Sequence, residues 1–181
     1  MLKYADNPPT RSPHAAELLD WSGTWWVGHT KARAEKAFAW DLLRQGIDYF
    51  LPMIDCVRVS GGRKRRLLVP LFPSYVFFCG GEDDRYRALA TNRLCQTLVA
   101  PDRDILVREL AQVELALASK AALDPYPFAA VGARCRVKAG PLRGIEGIVL
   151  RRDKTARLVL QVSMLGQGAS VEVDASLLEP A

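Results

Sequence analysis

The fold is decided by the stretch Pro70-Leu71-Phe72-Pro73-Ser74-Tyr75-Val76-Phe77-Phe78. Pro73 restricts its own backbone and has no N–H to donate, so it interrupts a strand ladder. The apolar run that follows, residues 74–79, predicts a strand because it is rich in aromatic and β-branched side chains. We therefore expect bulky apolar surface near a sheet edge, from Leu71, Phe72 and Tyr75.

Upstream of this stretch, the sequence predicts a strand followed by a helix. Trp25-Trp26-Val27-Gly28-His29 is aromatic and β-branched, as a strand requires. Ala34, Phe38 and Leu42 then recur every four residues, which places them on one face of a helix. Gly46 follows as the expected C-terminal cap.

A cluster of five cations lies between these elements and the deciding stretch. Residues 56–70 contain Arg58, Arg63, Lys64, Arg65 and Arg66 and no acid, so their charge equals the net +5 of the whole chain. Gly61-Gly62 predicts the tip of a hairpin beside them. Charge alone leaves two readings open, a solvated loop and a contact with nucleic-acid phosphates.

Downstream, a second amphipathic helix is predicted from Leu106, Leu110, Val113 and Leu117, and we expect it to pack on the sheet. The mixture of hairpins and helices indicates an α+β fold with an antiparallel sandwich. The alternating prolines near Asp124-Pro125-Tyr126-Pro127-Phe128 favour an extended link. We therefore predict a flexible tail at 1–22, a first domain at 23–122, a linker at 123–130 and a second domain at 131–181.

The last fifty or so residues predict several short strands in a small closed barrel. Alternating apolar positions occur around Cys135, Leu158 and Val171, and glycines punctuate them. Each glycine costs a helix about 1 kcal/mol relative to alanine, so we expect strands here rather than helices.

Two segments resemble the NusG family of transcription factors. Pro70–Phe78 is similar to a signature of the family's N-terminal (NGN) domain, with Ser74 where glycine is common. Residues 132–149 resemble a KOW motif, and Ser163–Gln167 with Val171-Glu172-Val173 resembles the family's C-terminus. The resemblance implies a NusG-type antiparallel α/β sandwich followed by a small SH3-like KOW β-barrel.

The resemblance also implies partners for particular residues. It assigns contact with the RNA polymerase clamp to Phe72, with Leu71, Tyr75 and His29 nearby. It assigns contact with upstream or non-template DNA to Arg63, Lys64, Arg65 and Arg66, extended by Lys31 and Arg33. It assigns recruitment of Rho or a small-subunit ribosomal protein to Met164, Leu165 and Gly166. Leu165 stands where the family commonly has phenylalanine.

These observations predict a transcription elongation or antitermination factor that suppresses pausing or termination, closer to RfaH-like paralogues than to housekeeping proteins. Two alternatives stay open. One is a housekeeping NusG acting in Rho-dependent termination and transcription–translation coupling. The other is a ribosomal-type KOW protein that binds RNA through Arg134, Arg136, Lys138 and Arg143.

Other classes of function are disfavoured. The chain has no phosphate-binding glycine motif, carboxylate pair or partnered histidine in local sequence, so we expect no enzyme and no cofactor. Its four cysteines lack metal-ligand spacing, and we expect no metal. No apolar run predicts a membrane span or secretory signal. We expect a cytoplasmic monomer.

Overall fold

The computed structural model describes residues 6–11, 17–60, 62–126, 132–152 and 155–181. It divides the chain into two compact units, Met1–Ala100 and Pro101–Ala181. We call them the N-terminal unit and the C-terminal unit and describe each by itself. Together, the described residues form helices and antiparallel strands, as the expectation of an α+β fold required.

The N-terminal unit contains the predicted first strand, the helix after it, the hairpin and the strand that follows Pro73, and a short 3-10 turn at Leu18–Asp20 precedes them. Its strands and helices are β1 (Thr24–Thr30), α1 (Glu35–Gln45), β2 (Asp48–Phe50), β3 (Met53–Ser60), β4 (Arg63–Pro70), β5 (Tyr75–Gly80), α2 (Glu82–Ala90) and β6 (Leu94–Val99). Pro52 separates β2 from β3 because a proline cannot continue the ladder.

Four of these strands form one sheet in the order β2-β5-β1-β6, in which β1 pairs with β5 and with β6 antiparallel. Trp26 lies opposite Phe78 and belongs to the core cluster that includes Phe38 and Leu42 of α1. Neighbouring residues of a strand point to opposite faces. Val27 and its partner Phe77 therefore lie on the other face, where both are fully buried.

Close packing between α1 and the sheet depends on Gly28. A β-carbon there would meet the Leu94 side chain at 2.9 Å and the Phe38 ring at 3.1 Å. At the end of α1, Gly46 adopts φ 67° as the predicted cap. This left-handed conformation is easily adopted by glycine.

Described residues of the segment expected to be a flexible tail lie against the N-terminal unit. The carbonyl of Thr10 accepts from the Leu51 amide at 2.7 Å, and that of Pro9 accepts from the Tyr49 hydroxyl at 2.9 Å. Further along, Leu18 is buried and Trp21 stacks on Trp25 with 5.1 Å between ring centroids. For residues 6–11 and 17–22, the expectation of a flexible tail is corrected by these contacts, which local sequence does not reveal.

The C-terminal unit combines one long helix with a six-stranded antiparallel sheet. Its elements are α3 (Arg103–Ala118), β7 (Leu123–Tyr126), β8 (Ala133–Val137), β9 (Glu146–Arg152), β10 (Thr155–Val162), β11 (Gln167–Asp174) and β12 (Leu178–Pro180), with 3-10 turns at Ser163–Leu165 and Ala175–Leu177. The strand order is β12-β8-β9-β10-β11-β7. Strands thus occur where the glycine pattern favoured them over helices.

Side chains of β10 are buried on both faces of this sheet. Leu158 and Leu160 point to one face, and Val159 between them points to the other; all three are buried. Val159 lies in the lining of a cleft that is also lined by residues of α3. One face of β10 therefore packs into the apolar core of the sheet, and the other faces α3.

The division of the chain differs from the boundary expected at residue 123. Helix α3 is grouped with the C-terminal sheet, where it contacts β10 and the Ser163–Leu165 turn. The expected linker also contains a strand, since Leu123–Tyr126 pairs with β11. Pro125 is tolerated there because β7 is the terminal strand of the sheet and needs hydrogen bonds on one side only. Residues 127–130 of the expected linker lie outside the described residues.

Candidate functional site

The ends of β1 and β5 bring two of the predicted site residues together. His29 lies opposite Tyr75 in the antiparallel pairing, and their rings stack with centroids 5.2 Å apart. Both side chains are only partly buried. A flat aromatic pair with accessible edges can bury apolar area against a partner while keeping polar atoms available for hydrogen bonds.

The turn before Tyr75 is held by a buried carboxylate. Glu35, in the first turn of α1, is only 7% exposed, and its Oε1 accepts a hydrogen bond from the Ser74 amide at 2.7 Å. The Ser74 carbonyl accepts from the Thr30 amide at 2.8 Å. Ser74 itself adopts φ 67°, a conformation that glycine adopts more easily. Nothing in the local sequence distinguishes Glu35, because a glutamate in the first turn of a helix is common for other reasons.

The expectation that Leu71 and Phe72 offer exposed apolar surface is corrected by the structure. Leu71 is 0% exposed and Phe72 is 1% exposed. The Phe72 ring packs edge-on against Phe77 with 6.0 Å between centroids. Alternation predicts two strand faces, but it does not reveal that both faces of β5 are covered. Of the four residues predicted to contact polymerase, His29 and Tyr75 are therefore the accessible ones.

The predicted hairpin is formed by β3 and β4, a separate two-stranded sheet that we call the basic ribbon. Arg63, Lys64, Arg65 and Arg66 of β4 and Arg58 of β3 are all exposed. Arg66 forms an ion pair with Asp55, with 3.1 Å between nitrogen and oxygen. Within the described residues, the other four cations of the basic ribbon form no ion pair, so their charge is available to a partner.

The two faces of the basic ribbon differ in character. Val57 lies opposite Arg66 and Val59 opposite Lys64, which places two valines and two cations on one face. Val57 is 61% exposed and Val59 is 67% exposed. Arg58 lies opposite Arg65 on the other face. The basic ribbon therefore combines phosphate-binding charge with apolar contact area.

Lys31 and Arg33 are exposed in the segment between β1 and α1. The Lys31 amide donates to the Arg93 carbonyl at 2.8 Å, and Arg33 adopts φ 61°. No hydrogen bond or ion pair within the described ranges joins either residue to the basic ribbon. Whether they extend its positive surface, as expected from sequence, therefore stays a prediction.

In the C-terminal unit, the predicted partner-binding residues Met164, Leu165 and Gly166 belong to the turn after β10. All three are partly buried, and Gly166 adopts φ 61°. The preceding residue, Ser163, donates two hydrogen bonds to Glu109 of α3, one from its amide to Oε2 at 2.9 Å and one from its hydroxyl to Oε1. The pairing of Glu109 with Ser163 was not predicted from sequence, because nothing local links residues so far apart.

Burial governs the electrostatics of Glu109. Burial raises the pKa of the Glu109 carboxyl above its ordinary value. The hydrogen bonds from Ser163 and the charges of Arg134 and Arg108 act in the opposite direction but are smaller. Hydrogen bonds from Ser163 thus hold the Glu109 carboxylate in place, but they and the nearby arginines only partly offset the cost of burying its negative charge.

The described residues show no signs of a metal site or membrane span. Among them, no three His, Cys, Asp or Glu side chains are grouped as metal ligands, and no helix is long and apolar enough to span a bilayer. None of the four cysteines, all of which lie in the described ranges, forms a disulfide; Cys79 and Cys135 are buried and Cys95 is exposed.

Comparison with known proteins identifies a similarity in the N-terminal unit. The NusG family, described as "Transcription termination factor nusG", matches residues 23–96, which is less than half of the chain. This match confirms the resemblance for the part that carries Pro70–Phe78. The comparison with curated proteins gave no match.

Among solved structures, the chain is similar to one in the "Crystal Structure of MjSpt4:Spt5 complex conformation B". The identity is 15%, the match covers 87% of this chain and 96% of that chain, and the TM-score is 0.27. A TM-score this low means that the two chains do not superpose well as wholes, so nothing about function rests on it.

Proposed function

We propose that this chain is a transcription elongation factor of the NusG type that binds RNA polymerase through its N-terminal unit. The observation that carries this proposal is the family match over residues 23–96. It includes the turn at Pro70–Phe78 and the stacked pair His29–Tyr75. No catalytic chemistry is part of the proposal.

The polymerase contact is assigned to the surface around His29 and Tyr75. Partly exposed aromatic side chains commonly supply the anchoring contacts of an interface. Leu71 and Phe72 are left out of this surface, since both are buried within the turn before β5. Glu35 fixes the turn through Ser74 and thereby sets the position of Tyr75. A prearranged surface loses less conformational entropy on binding.

The proposed mechanism acts through the conformation of the polymerase clamp and involves no chemical step. The N-terminal unit bridges the polymerase clamp across the DNA channel and stabilises the closed clamp. A closed clamp opposes the rearrangements that accompany pausing and termination. Stabilisation requires only that the factor bind the closed state more tightly than the open one.

The basic ribbon contacts upstream or non-template DNA beside the clamp. Its unpaired cations displace counterions from phosphates, which gives an affinity that depends on salt more than on sequence. The exposed valines of the same ribbon add apolar contact area. This contact supplements the binding of polymerase.

The C-terminal unit acts as a KOW β-barrel that recruits a further factor through Met164, Leu165 and Gly166. Rho and a small-subunit ribosomal protein are the candidate partners. The match with the family leaves the subclass open, and we favour an RfaH-like antiterminator because Ser74 stands where glycine is common. The housekeeping role in Rho-dependent termination and transcription–translation coupling is the alternative.

A ribosomal-type RNA-binding protein is a second candidate function. Arg134, Arg136, Lys138 and Arg143 would contact RNA in that case. Three of these are exposed arginines, although Arg136 also bonds Glu146. The N-terminal unit has no role in such a protein, so binding assays with the two kinds of partner separate the candidates.

The experiment measures the affinity of the full chain for core RNA polymerase at low ionic strength. The variant His29→Ala/Tyr75→Ala removes the stacked pair, and we expect it to weaken binding by at least about tenfold, the scale of an interface hot spot. The matched control is Tyr86→Ala, which removes an exposed aromatic side chain from α2. It should bind as the parent does.

Two outcomes contradict the proposal. Failure of the parent chain to bind polymerase refutes the function. Equal affinities of the double variant and the parent refute the assignment of the surface. If ribosomal RNA binds tightly instead, and Arg143→Glu abolishes that binding, the ribosomal-type candidate takes its place.

A further inference from the structure

The outer half of the basic ribbon is a two-stranded sheet without further neighbours. Residues 57–60 of β3 pair with residues 63–66 of β4, and within the described ranges neither strand pairs with a third. The side chains of residues 57–59 and 63–66 are all exposed. At about 3.4 Å per residue, this half is roughly 14 Å long. A partner can therefore contact either face of the outer half.

Three arginines share one face of this outer half, which we call the arginine face. Arg58 lies directly opposite Arg65, and Arg63 points to the same side as Arg65 because it is two residues away in β4. Like charges directly opposite each other destabilise an antiparallel pair. The one acid between residues 53 and 70, Asp55, bonds Arg66 on the other face. A polyanionic partner relieves this repulsion, so the arginine face favours such a partner.

The composition of the basic ribbon distinguishes two forms of nucleic acid. Residues 53–70 contain no phenylalanine, tyrosine, tryptophan or histidine. Proteins that bind single strands combine a basic groove with aromatic rings on which the unpaired bases stack. A duplex needs no such rings, because its bases already stack on one another. The basic ribbon therefore favours double-stranded over single-stranded DNA.

The shape of the basic ribbon selects one groove of the duplex. The major groove of B-DNA is about 12 Å wide and admits a two-stranded β-ribbon, whereas the minor groove is only about 6 Å wide. Guanine presents O6 and N7 in the major groove, and arginine bonds this pair of acceptors with two parallel hydrogen bonds. With the arginine face on the base pairs, Val57 and Val59 point out of the groove.

We propose that the basic ribbon enters the major groove of duplex DNA with its arginine face on the base pairs, and that it prefers sites that contain guanine. The inference rests on the proposed DNA contact of the basic ribbon. It narrows that contact to double-stranded DNA and adds a base preference to an affinity that is otherwise set by phosphates. It does not depend on the polymerase contact of His29 and Tyr75.

The test measures fluorescence anisotropy of the full chain with short labelled DNA, without polymerase and at one low ionic strength. The first probe is a duplex with guanines in both strands. The second is the same duplex with 7-deazaguanine, which lacks the N7 acceptor but keeps the base pairing and the phosphate charge. We expect the parent to bind the first at least about fivefold more tightly, the scale of one impaired arginine–guanine contact. One strand of the first probe, used alone, should bind more weakly than either duplex.

Two variants assign this preference to a face of the basic ribbon. Arg58→Lys/Arg65→Lys keeps both charges but removes the planar fork that bonds guanine. We expect this variant to bind the two duplexes equally, with its affinity for the 7-deazaguanine duplex close to that of the parent. The matched control is Arg66→Lys, the same substitution on the other face, which should keep the preference. Melting curves establish that both variants are folded.

Equal affinities of the parent for the two duplexes overturn the inference, and so does tighter binding of the single strand. A preference that is lost in Arg66→Lys and kept in the double variant overturns the assignment of the arginine face. A parent chain that binds no DNA refutes the proposed DNA contact together with the inference. Polymerase affinity is measured separately, so its absence, with the guanine preference intact, refutes the proposed polymerase contact alone.

Discussion

Glu35 accepts a hydrogen bond from the main-chain amide of Ser74, with 2.7 Å between Oε1 and nitrogen. This bond joins the first turn of α1 to the turn before β5, 39 residues away. It fixes the backbone immediately before Tyr75, whose ring stacks on His29. The geometry of the proposed polymerase surface therefore depends on a carboxylate that does not itself belong to that surface.

Replacement of Glu35 by alanine should lower the free energy of unfolding by about 2 kcal/mol, the scale of a hydrogen bond to a charged group. The Ser74 amide would also lose its partner. Urea unfolding of the full chain measures the change. Glu82→Ala is the control, since Glu82 is exposed and its ion pair with Arg85 contributes little. Equal losses in the two variants would show that the Glu35 bond adds no stability.

Ser74→Gly should raise the free energy of unfolding by about 1 kcal/mol. The reason is the φ of 67° at Ser74, which strains a residue that has a β-carbon. Ser74→Ala keeps the β-carbon and should leave stability close to that of the parent. Thermal melts of the three proteins provide the comparison, and a glycine variant that melts below the parent would contradict the account of this turn.

Phe72→Ala should cost about 3–5 kcal/mol of stability, as for other buried phenylalanines. The ring is 1% exposed and contacts Phe77, so truncation leaves a cavity. Tyr75→Ala should cost only about 1 kcal/mol, because it removes one partly exposed ring contact. Denaturant titrations measure the loss of stability in each variant. A small loss for Phe72→Ala would contradict the burial of this ring and would favour the expectation from sequence that Phe72 lies on the surface.

The stability of the C-terminal unit should depend on pH through Glu109. Burial raises the pKa of this carboxyl, so the folded state favours its protonated form. The associated stability is present below the unfolded-state pKa and is lost as pH rises through the higher folded-state pKa. Glu109→Gln removes this dependence, while its amide can still accept from the Ser163 amide and donate to the hydroxyl.

Unfolding midpoints between pH 4 and pH 8 should therefore separate the parent from Glu109→Gln. We expect similar stabilities at the acidic end and a more stable glutamine variant at neutral pH. A glutamine variant that is less stable at neutral pH would mean that the Ser163 bonds and nearby arginines outweigh the effect of burial.

Local patterns predicted the elements that depend on neighbouring residues. The strand at Trp25–His29 and the helix closed by Gly46 each follow from side chains that are near one another in sequence. The basic ribbon is equally local, since Gly62 and the cations near it in sequence belong to one hairpin. Gly61 itself lies outside the described residues.

Other features could not be predicted from the sequence because they depend on contacts between residues that are far apart along the chain. The Thr10 carbonyl bonds the Leu51 amide, which anchors residues expected to be mobile. Local sequence could not show that Phe72, in the turn before β5, packs against Phe77 and is buried. The side of α3 that bonds the C-terminal sheet is polar, and no periodicity of apolar residues identifies such a contact. For the same reason Glu109 and Ser163 were not predicted as a pair.

The most direct test of the central claim places a photoreactive amino acid at position 75 of the full chain and irradiates it with core RNA polymerase. We predict a cross-link to the clamp of the enzyme, and loss of that cross-link when unlabelled parent chain is added in excess. A control with the same amino acid at position 86, on α2, should give no clamp product. Cross-links from position 75 to other parts of the enzyme, or none under conditions where the chain is bound, would contradict the account.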